Sequence, residues 1–520
     1  MISREDTVEI GHSRKVLSRR AFETVLLLAV GAIFIISNPS VSFIDDEVNI
    51  VSAAAAPLHQ TLYAFQIGQG LHEHPPLYDV LLHCWMWLTS AAFSMLRLPS
   101  IVCYLLGLWL LARAAGKIAG ERSALATLWL GALWPFGYHY GRLAAWYPFC
   151  FLIVAALTLA YIRLIQRPSI SRWSVTMLLG LALVYTNYFG WAMLVCLAID
   201  IVLCHPQDLR RVSGLALASG LLLGIAYLPL WLAFRNELRT GLSFRHTLVA
   251  TVLLAGFNVY NAFASESVAP WVWVLGIPAF LCVTAELLLV LKYAPLQAKR
   301  LLLYGLTLVA LMAVLGIVTS KRMLPVAAWL LLPVGVTVGV IPRGRGRMVF
   351  SGAVAGVVLI GWFGIFARRF YSAPRFVEPW HEVAAEAAER SRSGAVVIGN
   401  NPSFFFYLTY ALHPPGQPGG WEMLQNSSGS GVFDAEDWIE IGRPLRHEVF
   451  LVRGMPGPLS AGPSWDDEQW LNSHCVLMAG RQLLRDPAAD LKARFLPELG
   501  ELPWRVRTRD YFCIDHKENQ

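Results

Sequence analysis

The sequence has 520 residues, of which 56% are hydrophobic and only 15% are charged, and its mean hydropathy is +0.51. Soluble domains carry about 25% charged residues, so this composition excludes an ordinary soluble protein. The net charge of +7 does not indicate a nucleic-acid partner, because the lysines and arginines cluster between apolar runs, where they orient a membrane protein.

The apolar residues form runs that approach or exceed the roughly 17–25 residues needed to cross a bilayer as a helix. These runs lie near 21–38, 99–116, 123–140, 143–162, 174–204, 213–234, 270–291, 301–319, 323–341 and 348–366. Dividing 174–204 at Asn187 gives about eleven crossings. The sequence therefore predicts a polytopic α-helical membrane protein of about eleven spans with additional juxtamembrane helices.

The distribution of basic residues predicts the orientation. Several arginines and a lysine lie between 14 and 20, so we expect the N-terminus in the cytoplasm. The later basic clusters share that side only if 76–96, which contains Asp79 and His83, lies at the interface and does not cross. The loop 39–75, which has no lysine or arginine, then faces outward.

Beyond about residue 370 the composition becomes more polar, and no membrane-length run follows. AVVIGN (395–400) and HEVFLVRG (447–454) are predicted strands, and the segments 380–394 and 401–412 are predicted helices. We therefore expect a membrane domain over 1–369 and an extracytoplasmic α/β domain over 370–520. Two cysteines of this tail, Cys475 and Cys513, could pair if the tail faces an oxidising compartment, and the sequence leaves this open.

Three adjacent acids in FIDDEVNI, Asp45, Asp46 and Glu47, follow the first predicted span. Solvated loop acids are the ordinary interpretation. No basic residue lies near them in the sequence, however, and acids held near a medium of low dielectric constant are costly unless they are used or paired. We therefore predict that they are catalytic, with one carboxylate accepting a proton from a hydroxyl group.

A second polar group, His72, Glu73 and His74, stands before two prolines in GLHEHPPLYD. Two histidines and a glutamate this close together rarely ligate one ion. We expect hydrogen bonding to a phosphate or a sugar, with a divalent metal as the less favoured alternative.

Several basic residues lie in segments predicted to face outward, contrary to the preference of lysine and arginine for the cytoplasmic side. Arg142 in GRLAAWYPF and the pair Lys321 and Arg322 in TSKRMLP are predicted at outer helix ends, where they suit a lipid phosphate. Snorkelling of a lone arginine is the alternative for Arg142. Tyr147 and His246 are further candidates for substrate contact.

The order of these motifs resembles the GT-C glycosyltransferases that use polyprenyl-phosphate sugars. The resemblance rests on the acid pair after the first helix, HPPLY (74–78) and RLPS (97–100), and it is weaker in SKRMLP and in the tail. Among these families, the protein O-mannosyltransferases and the lipid A aminoarabinose transferases are the most similar.

The resemblance implies that Asp46 is the catalytic aspartate and that Glu47 is its companion. It also implies that Glu73 and His74 contact the donor phosphate or a metal, and that Lys321 and Arg322 form the outward basic pair. The extra Asp45 leaves the register of the acids open by one residue. His74 stands where the lipid A enzymes carry a lysine, and Asn49-Ile50 stands where they often carry Arg-Tyr.

The implied reaction is a single displacement with inversion at the anomeric carbon, without a required metal, at the outer face of a bacterial inner membrane. The donor would be a polyprenyl-phosphate sugar and the acceptor a hydroxyl group of lipid A, lipopolysaccharide or another envelope glycan. A protein O-mannosyltransferase is the alternative within the same class. A transporter or flippase of lipid-linked sugars is the alternative from another class, disfavoured because we expect the spans to be nearly free of charge.

Overall fold

The computed structural model describes residues 4–38, 43–67, 74–204, 209–241, 247–268, 273–368, 380–412, 431–440, 448–456, 466–484 and 504–513. The first part of the chain is helical. Its helices are α1 Arg4–Ser37, α2 Asp45–Ala55, α3 Leu58–Ile67, α4 Leu77–Leu88, α5 Phe93–Leu96, α6 Leu98–Ala119, α7 Glu121–Ala132, α8 Pro135–Tyr140, α9 Trp146–Gln166, α10 Ile170–Val184, α11 Gly190–Cys204, α12 Leu209–Tyr227, α13 Trp231–Gly241, α14 Leu248–Ala264, α15 Trp273–Tyr293, α16 Leu296–Val314, α17 Leu324–Val340 and α18 Arg345–Arg368.

Within the described residues, seven helical segments are long and apolar enough to cross a membrane. They are Phe93–Ala119, Trp146–Gln166, Gly214–Arg239, Trp273–Tyr293, Leu296–Val314, Lys321–Val340 and Arg345–Ala367. Shorter apolar helices include Ala21–Ser37, Ile170–Val184, Gly190–Leu203 and Leu248–Ala264. The prediction of a polytopic helical membrane protein is confirmed, and the number of eleven crossings stays a prediction.

Helix α17 lies at the centre of this bundle, where it packs against α6, α7, α9 and α16. Two of its glycines, Gly335 and Gly339, face α7 so closely that a Cβ atom on either would lie 2.1 Å from the hydroxyl oxygen of Thr127 or Ser123. Small residues four apart let two membrane helices approach at backbone distance. This close packing fixes α17, and with it the Lys321–Met323 turn at its start.

The structure differs from the sequence-based spans in two places. The run 123–140 is divided between α7 and α8, with Pro135 at the first position of α8, because proline has no N–H to continue the preceding helix. Helix α14 occupies a stretch to which the sequence analysis assigns no span. Helix α4 has 12 residues, about 18 Å at 1.5 Å per residue, which is too short to cross a bilayer and agrees with an interfacial 76–96 segment.

The C-terminal part is built around one five-stranded sheet. Its strands are β1 Val396–Gly399, β2 Val432–Asp434, β3 Glu448–Pro456, β4 Cys475–Leu484 and β5 Trp504–Cys513, in the order β2-β1-β3-β5-β4. Its helices are α19 Trp380–Arg392, α20 Pro402–Leu412, α21 Ala435–Glu440 and α22 Asp466–His474. Strand β1 pairs in parallel with β2 and β3, and β5 runs antiparallel to β3 and β4. The predicted strands at 395–400 and 447–454 and both predicted helices are present.

Alternate residues of the strands face opposite sides of the sheet. Val397 and Phe450 join the core that continues into the helical part, whereas Val396 and Val449 join a separate cluster with Trp438. Cys475 and Cys513, which are partners on β4 and β5, form a disulfide bond. The predicted boundary near residue 370 falls outside the described residues.

Candidate active site

Asp46 lies in the first turn of α2 and meets two side chains from distant elements. Lys321, in the turn before α17, places its Nζ 2.6 Å from Asp46 Oδ1. Tyr147, in the first turn of α9, donates its hydroxyl hydrogen to Asp46 Oδ2. Lys321 and Tyr147, both selected from the sequence, therefore converge on the carboxylate of a third selected residue, Asp46.

The electrostatics keep Asp46 ionised. Burial is the largest influence and raises the pKa of this carboxyl group. The charge of Lys321, with hydrogen bonds from Lys321 and Tyr147 and the nearby charge of Arg322, outweighs burial and lowers the pKa below 3.8. The Lys321 side chain is 29% exposed, so its ammonium group can be reached by a second anion.

Glu47 is buried and faces a different set of donors. Arg97 donates to both carboxylate oxygens, from Nε at 2.8 Å and from Nη2 at 2.6 Å. The backbone N–H of Ala144 donates to Oε1 at 2.7 Å and that of Ile44 to Oε2 at 3.1 Å. Glu47 thus joins the start of α2 to α6 and to the segment before α9.

The absence of a basic residue near the acids in the sequence suggests that they are unneutralised, and this expectation is wrong. Lys321 pairs with Asp46, and Arg97 pairs with Glu47. Both cations are far from the acids along the chain, which explains why the local sequence does not reveal them. The side chain of Asp45 lies outside the described residues.

Arg142 is buried beside the site and is tied to other groups. Its Nη1 donates to the carbonyl oxygen of Ser37 at 3.3 Å and to the hydroxyl oxygen at 2.9 Å, and its guanidinium carbon lies 4.3 Å from the ring centre of Tyr138. Burial lowers the pKa of Arg142 to about 10, so it remains a cation at neutral pH. It connects the end of α1 to the segment that carries Tyr147.

His74 lies near Trp146, the residue before Tyr147. Its ring centre is 6.0 Å from that of Trp146, and its Nε2 is 3.9 Å from Oδ1 of the buried Asp79. Burial raises the pKa of Asp79 to about 6, against an opposing effect of His74. His72 and Glu73, which were proposed with His74, and His246, a separate candidate for substrate contact, lie outside the described residues.

Glu266, which the sequence analysis did not select, forms a second polar cluster next to Lys321. Tyr140 donates to Glu266 Oε2 at 2.8 Å, and Ser320, the residue before Lys321, donates to Oε1. Asn261 in turn donates to the Ser320 hydroxyl at 3.1 Å. The break of the apolar pattern at Ser265-Glu266 was the available signal, and Ser265 has a φ of 68°, a strained value for a residue with a side chain.

Among the described residues, no group of three or more His, Cys, Asp and Glu side chains is arranged to hold a metal ion.

The expectation of nearly charge-free spans also needs correction. Asp200, buried in α11, accepts hydrogen bonds from Tyr161 and, at 2.8 Å, from Tyr304, and Arg300 lies 3.4 Å away. Glu286 is buried in α15. The helices thus contain buried acids, which are rare and costly in membrane segments. Spans free of charge therefore no longer distinguish this chain from a transporter.

No protein-family model matches the sequence, and no curated protein matches it. The fold defines the class: the chain is a polytopic membrane protein with the GT-C fold. It is similar to ArnT from Cupriavidus metallidurans in the apo state, with a TM-score of 0.57 at 12% identity over 95% of this chain and 98% of that one. The structure of ArnT bound to undecaprenyl phosphate gives a TM-score of 0.56 at 12% identity over 93% and 97%.

Proposed function

We propose that the chain is an inverting glycosyltransferase that moves a sugar from a polyprenyl-phosphate donor to a hydroxyl acceptor. The acceptor is lipid A, lipopolysaccharide or another envelope glycan at the periplasmic face of a bacterial inner membrane. The observation that carries the proposal is the ionised Asp46 held between Lys321 and Tyr147. The shared fold supports it, because ArnT with this fold was crystallised with undecaprenyl phosphate.

Asp46 is the proton acceptor in this proposal. The acceptor oxygen attacks the anomeric carbon and forms the new C–O bond while the bond from that carbon to the phosphate oxygen breaks. The bonding electrons leave with polyprenyl phosphate, and the hydroxyl proton passes to Asp46. One displacement inverts the anomeric carbon.

Lys321 has two anionic partners in turn. The Lys321 ion pair makes Asp46 a weak base, as the lowered pKa indicates. The donor phosphate is a diester with one negative charge, and its oxygens compete with the Asp46 carboxylate for the exposed ammonium group of Lys321. The polyprenyl phosphate that leaves is a monoester with more negative charge, so Lys321 binds it more strongly as the bond to the sugar breaks. Donor binding then weakens the Asp46 pair and makes the carboxylate more basic when the sugar is present.

Arg322 and Arg142 supplement Lys321 as the positive surroundings of the leaving phosphate. Glu47 holds α2 through Arg97 and leaves proton transfer to Asp46.

Tyr147 orients Asp46. His74, with His72, Glu73 and His246, contacts the sugar or phosphate. No step requires a metal, and a divalent cation held with Glu73 is the alternative to be tested by chelation.

The domain arrangement follows the same proposal. Residues 1–369 form the catalytic membrane domain with a cytoplasmic N-terminus, its first periplasmic loop being 39–98, and residues 370–520 form a periplasmic domain that helps to bind the acceptor. The disulfide between Cys475 and Cys513 supports this placement, since such bonds persist in oxidising compartments.

The experiment compares a deletion strain complemented with wild type, Asp46→Asn or Asp45→Asn. Mass spectrometry of lipid A, glycans and surface proteins identifies the missing modification. We expect Asp46→Asn to lower transfer by at least about 100-fold, because a positioned base contributes 10²–10⁴-fold, and Asp45→Asn to restore it.

A modification lost only from surface proteins would identify a protein O-mannosyltransferase. Full restoration by Asp46→Asn, or continued movement of the lipid-linked sugar across the membrane as the sole activity, would contradict the proposal. The first result would remove the assigned base, and the second would indicate a transporter.

A further inference from the structure

Helix α20 of the C-terminal part lies against the segment that carries the acids. The Tyr407 hydroxyl accepts a hydrogen bond from the backbone N–H of Phe43 and lies 3.4 Å from the carbonyl oxygen of the same residue. Tyr407 is 4% exposed and Phe43 is 2% exposed. The contact is thus a buried polar bond between parts of the chain that are far apart in sequence.

Two successive backbone N–H groups are fixed just before α2. Tyr407 binds that of Phe43, and Glu47 binds that of Ile44 at 3.1 Å. Helix α2 begins at Asp45, so Asp46 lies within one helical turn of both anchors. Ile44 is the N-cap of α2, and its carbonyl oxygen accepts a hydrogen bond from the Val48 N–H at 3.1 Å. A shift of the anchored peptides therefore moves the first turn of α2, and with it the Asp46 carboxylate, relative to Lys321.

Aromatic side chains surround the contact between Tyr407 and Phe43. The Phe43 ring contacts that of Phe93 at 4.9 Å, and the Arg97 guanidinium carbon lies 4.5 Å from the Phe43 ring centre. The Phe93 ring stacks on that of Tyr410 in α20, with 4.1 Å between the ring centres. These contacts exclude water, which strengthens the Tyr407 hydrogen bond.

We propose that Tyr407 is a positioning residue through which the C-terminal domain sets the Asp46 carboxylate against Lys321. This rests on the proposed function, and it gives the domain a role in the chemical step in addition to acceptor binding. Tyr407 touches neither donor nor acceptor in this proposal. It acts through Phe43.

Tyr410 provides a matched control. It lies on the same helix, and its hydroxyl donates to the backbone carbonyl oxygen of Ala91. The Tyr410→Phe variant therefore removes a comparable bond between the same two parts of the chain, at the segment before α5 and away from the acids. A merely structural role would make the two substitutions equivalent.

The test uses the full-length chain in detergent and in membranes. Hydrogen exchange followed by mass spectrometry reports the backbone of 43–50, with undecaprenyl phosphate as the added probe. Transfer to the acceptor identified by the deletion strain is followed from about pH 3 to 8, so that the acid limb set by Asp46 is covered. For Tyr407→Phe we expect faster exchange in 43–50 and transfer at neutral pH reduced roughly tenfold, since misplacement of a reacting group by about 1 Å costs up to 100-fold.

The acid side of the pH profile should also move to higher pH in Tyr407→Phe, because a looser Lys321 pair lets the pKa of Asp46 rise. Tyr410→Phe should keep the wild-type exchange in 43–50, the wild-type pH profile and transfer within about twofold. Equal losses in both variants without a change in the profile, or wild-type behaviour of Tyr407→Phe, would overturn the proposal. Absence of transfer by the wild-type chain would instead overturn the proposed function, and the exchange result would still report the anchor.

Discussion

Two neighbouring carboxylates have different surroundings at the start of α2. Successive residues of an α-helix point about 100° apart, so Asp46 faces Lys321 and Tyr147 while Glu47 turns inward to Arg97. The Asp46 pair is partly exposed and can exchange partners. The Glu47 pair is buried and bidentate, and the loss of one partner of such a pair is strongly destabilising.

Asp79 allows a prediction about pH and stability. Its folded-state pKa of about 6 exceeds the usual 3.8 because it is buried, so the folded chain favours the protonated form. The stabilisation is fully present below about pH 4 and is lost as the pH rises through about 6. The difference corresponds to roughly 3 kcal/mol.

Asp79→Asn removes this titration. We expect the variant to match wild type near pH 4 and to be more stable, by up to roughly 3 kcal/mol, at pH 7.5. Unfolding in detergent followed by tryptophan fluorescence measures the difference. An equal stability gap at both pH values would show that Asp79 does not titrate in this range.

At the scale of elements, the turn before α17 is held from both sides. Gly335 and Gly339 fasten the body of α17 to α7, and Ser320 is bonded to Glu266 directly before Lys321. The position of the Lys321 ammonium group therefore depends on a residue outside the Asp46 cluster.

Glu266→Gln tests this dependence. The amide keeps the shape and the bond from Tyr140, but its nitrogen cannot accept a hydrogen bond from Ser320. A hydrogen bond to a charged group contributes about 1.5–3 kcal/mol, and we expect transfer to fall roughly tenfold with little change in expression. Glu121→Gln, at an exposed position at the start of α7, is the control. An equal effect of both substitutions would show that Glu266 does not position Lys321.

Local sequence patterns predict most of the elements and few of the contacts. Apolar runs locate the long helices, and β-branched segments locate β1 and β3, because each pattern lies within one element. Helix α14 is missed since its 17 residues are fewer than a typical span and include Asn258 and Asn261. The partners of Asp46 and Glu47 depend on how helices pack, and no local pattern contains that information.

The selection of Lys321 shows what such reasoning can reach. A cation on the wrong side of the charge rule is a signal that survives without tertiary structure, and it led to the residue that contacts Asp46. Glu266 and Arg97 gave weaker signals. Glu266 is one acid in a short polar break, and Arg97 follows a predicted interfacial segment where a cation is ordinary.

At the scale of the whole molecule, three parts meet: a helical bundle, the acid-bearing segment at one end of it, and a sheet domain whose α20 contacts that segment. In the proposed function the acids face the periplasm, and the disulfide of the sheet domain agrees with that side, because such bonds persist in oxidising compartments.

The most direct test of this claim is cysteine labelling of Asn49→Cys, an exposed position of α2 near Asp46. The exposed native Cys84 is replaced by serine, and Arg343→Cys, exposed between α17 and α18, serves as the control for the opposite side. In intact cells with a permeabilised outer membrane, an impermeant maleimide should label Asn49→Cys at once and Arg343→Cys only after the inner membrane is opened. The reverse pattern would place the acids in the cytoplasm and contradict the account.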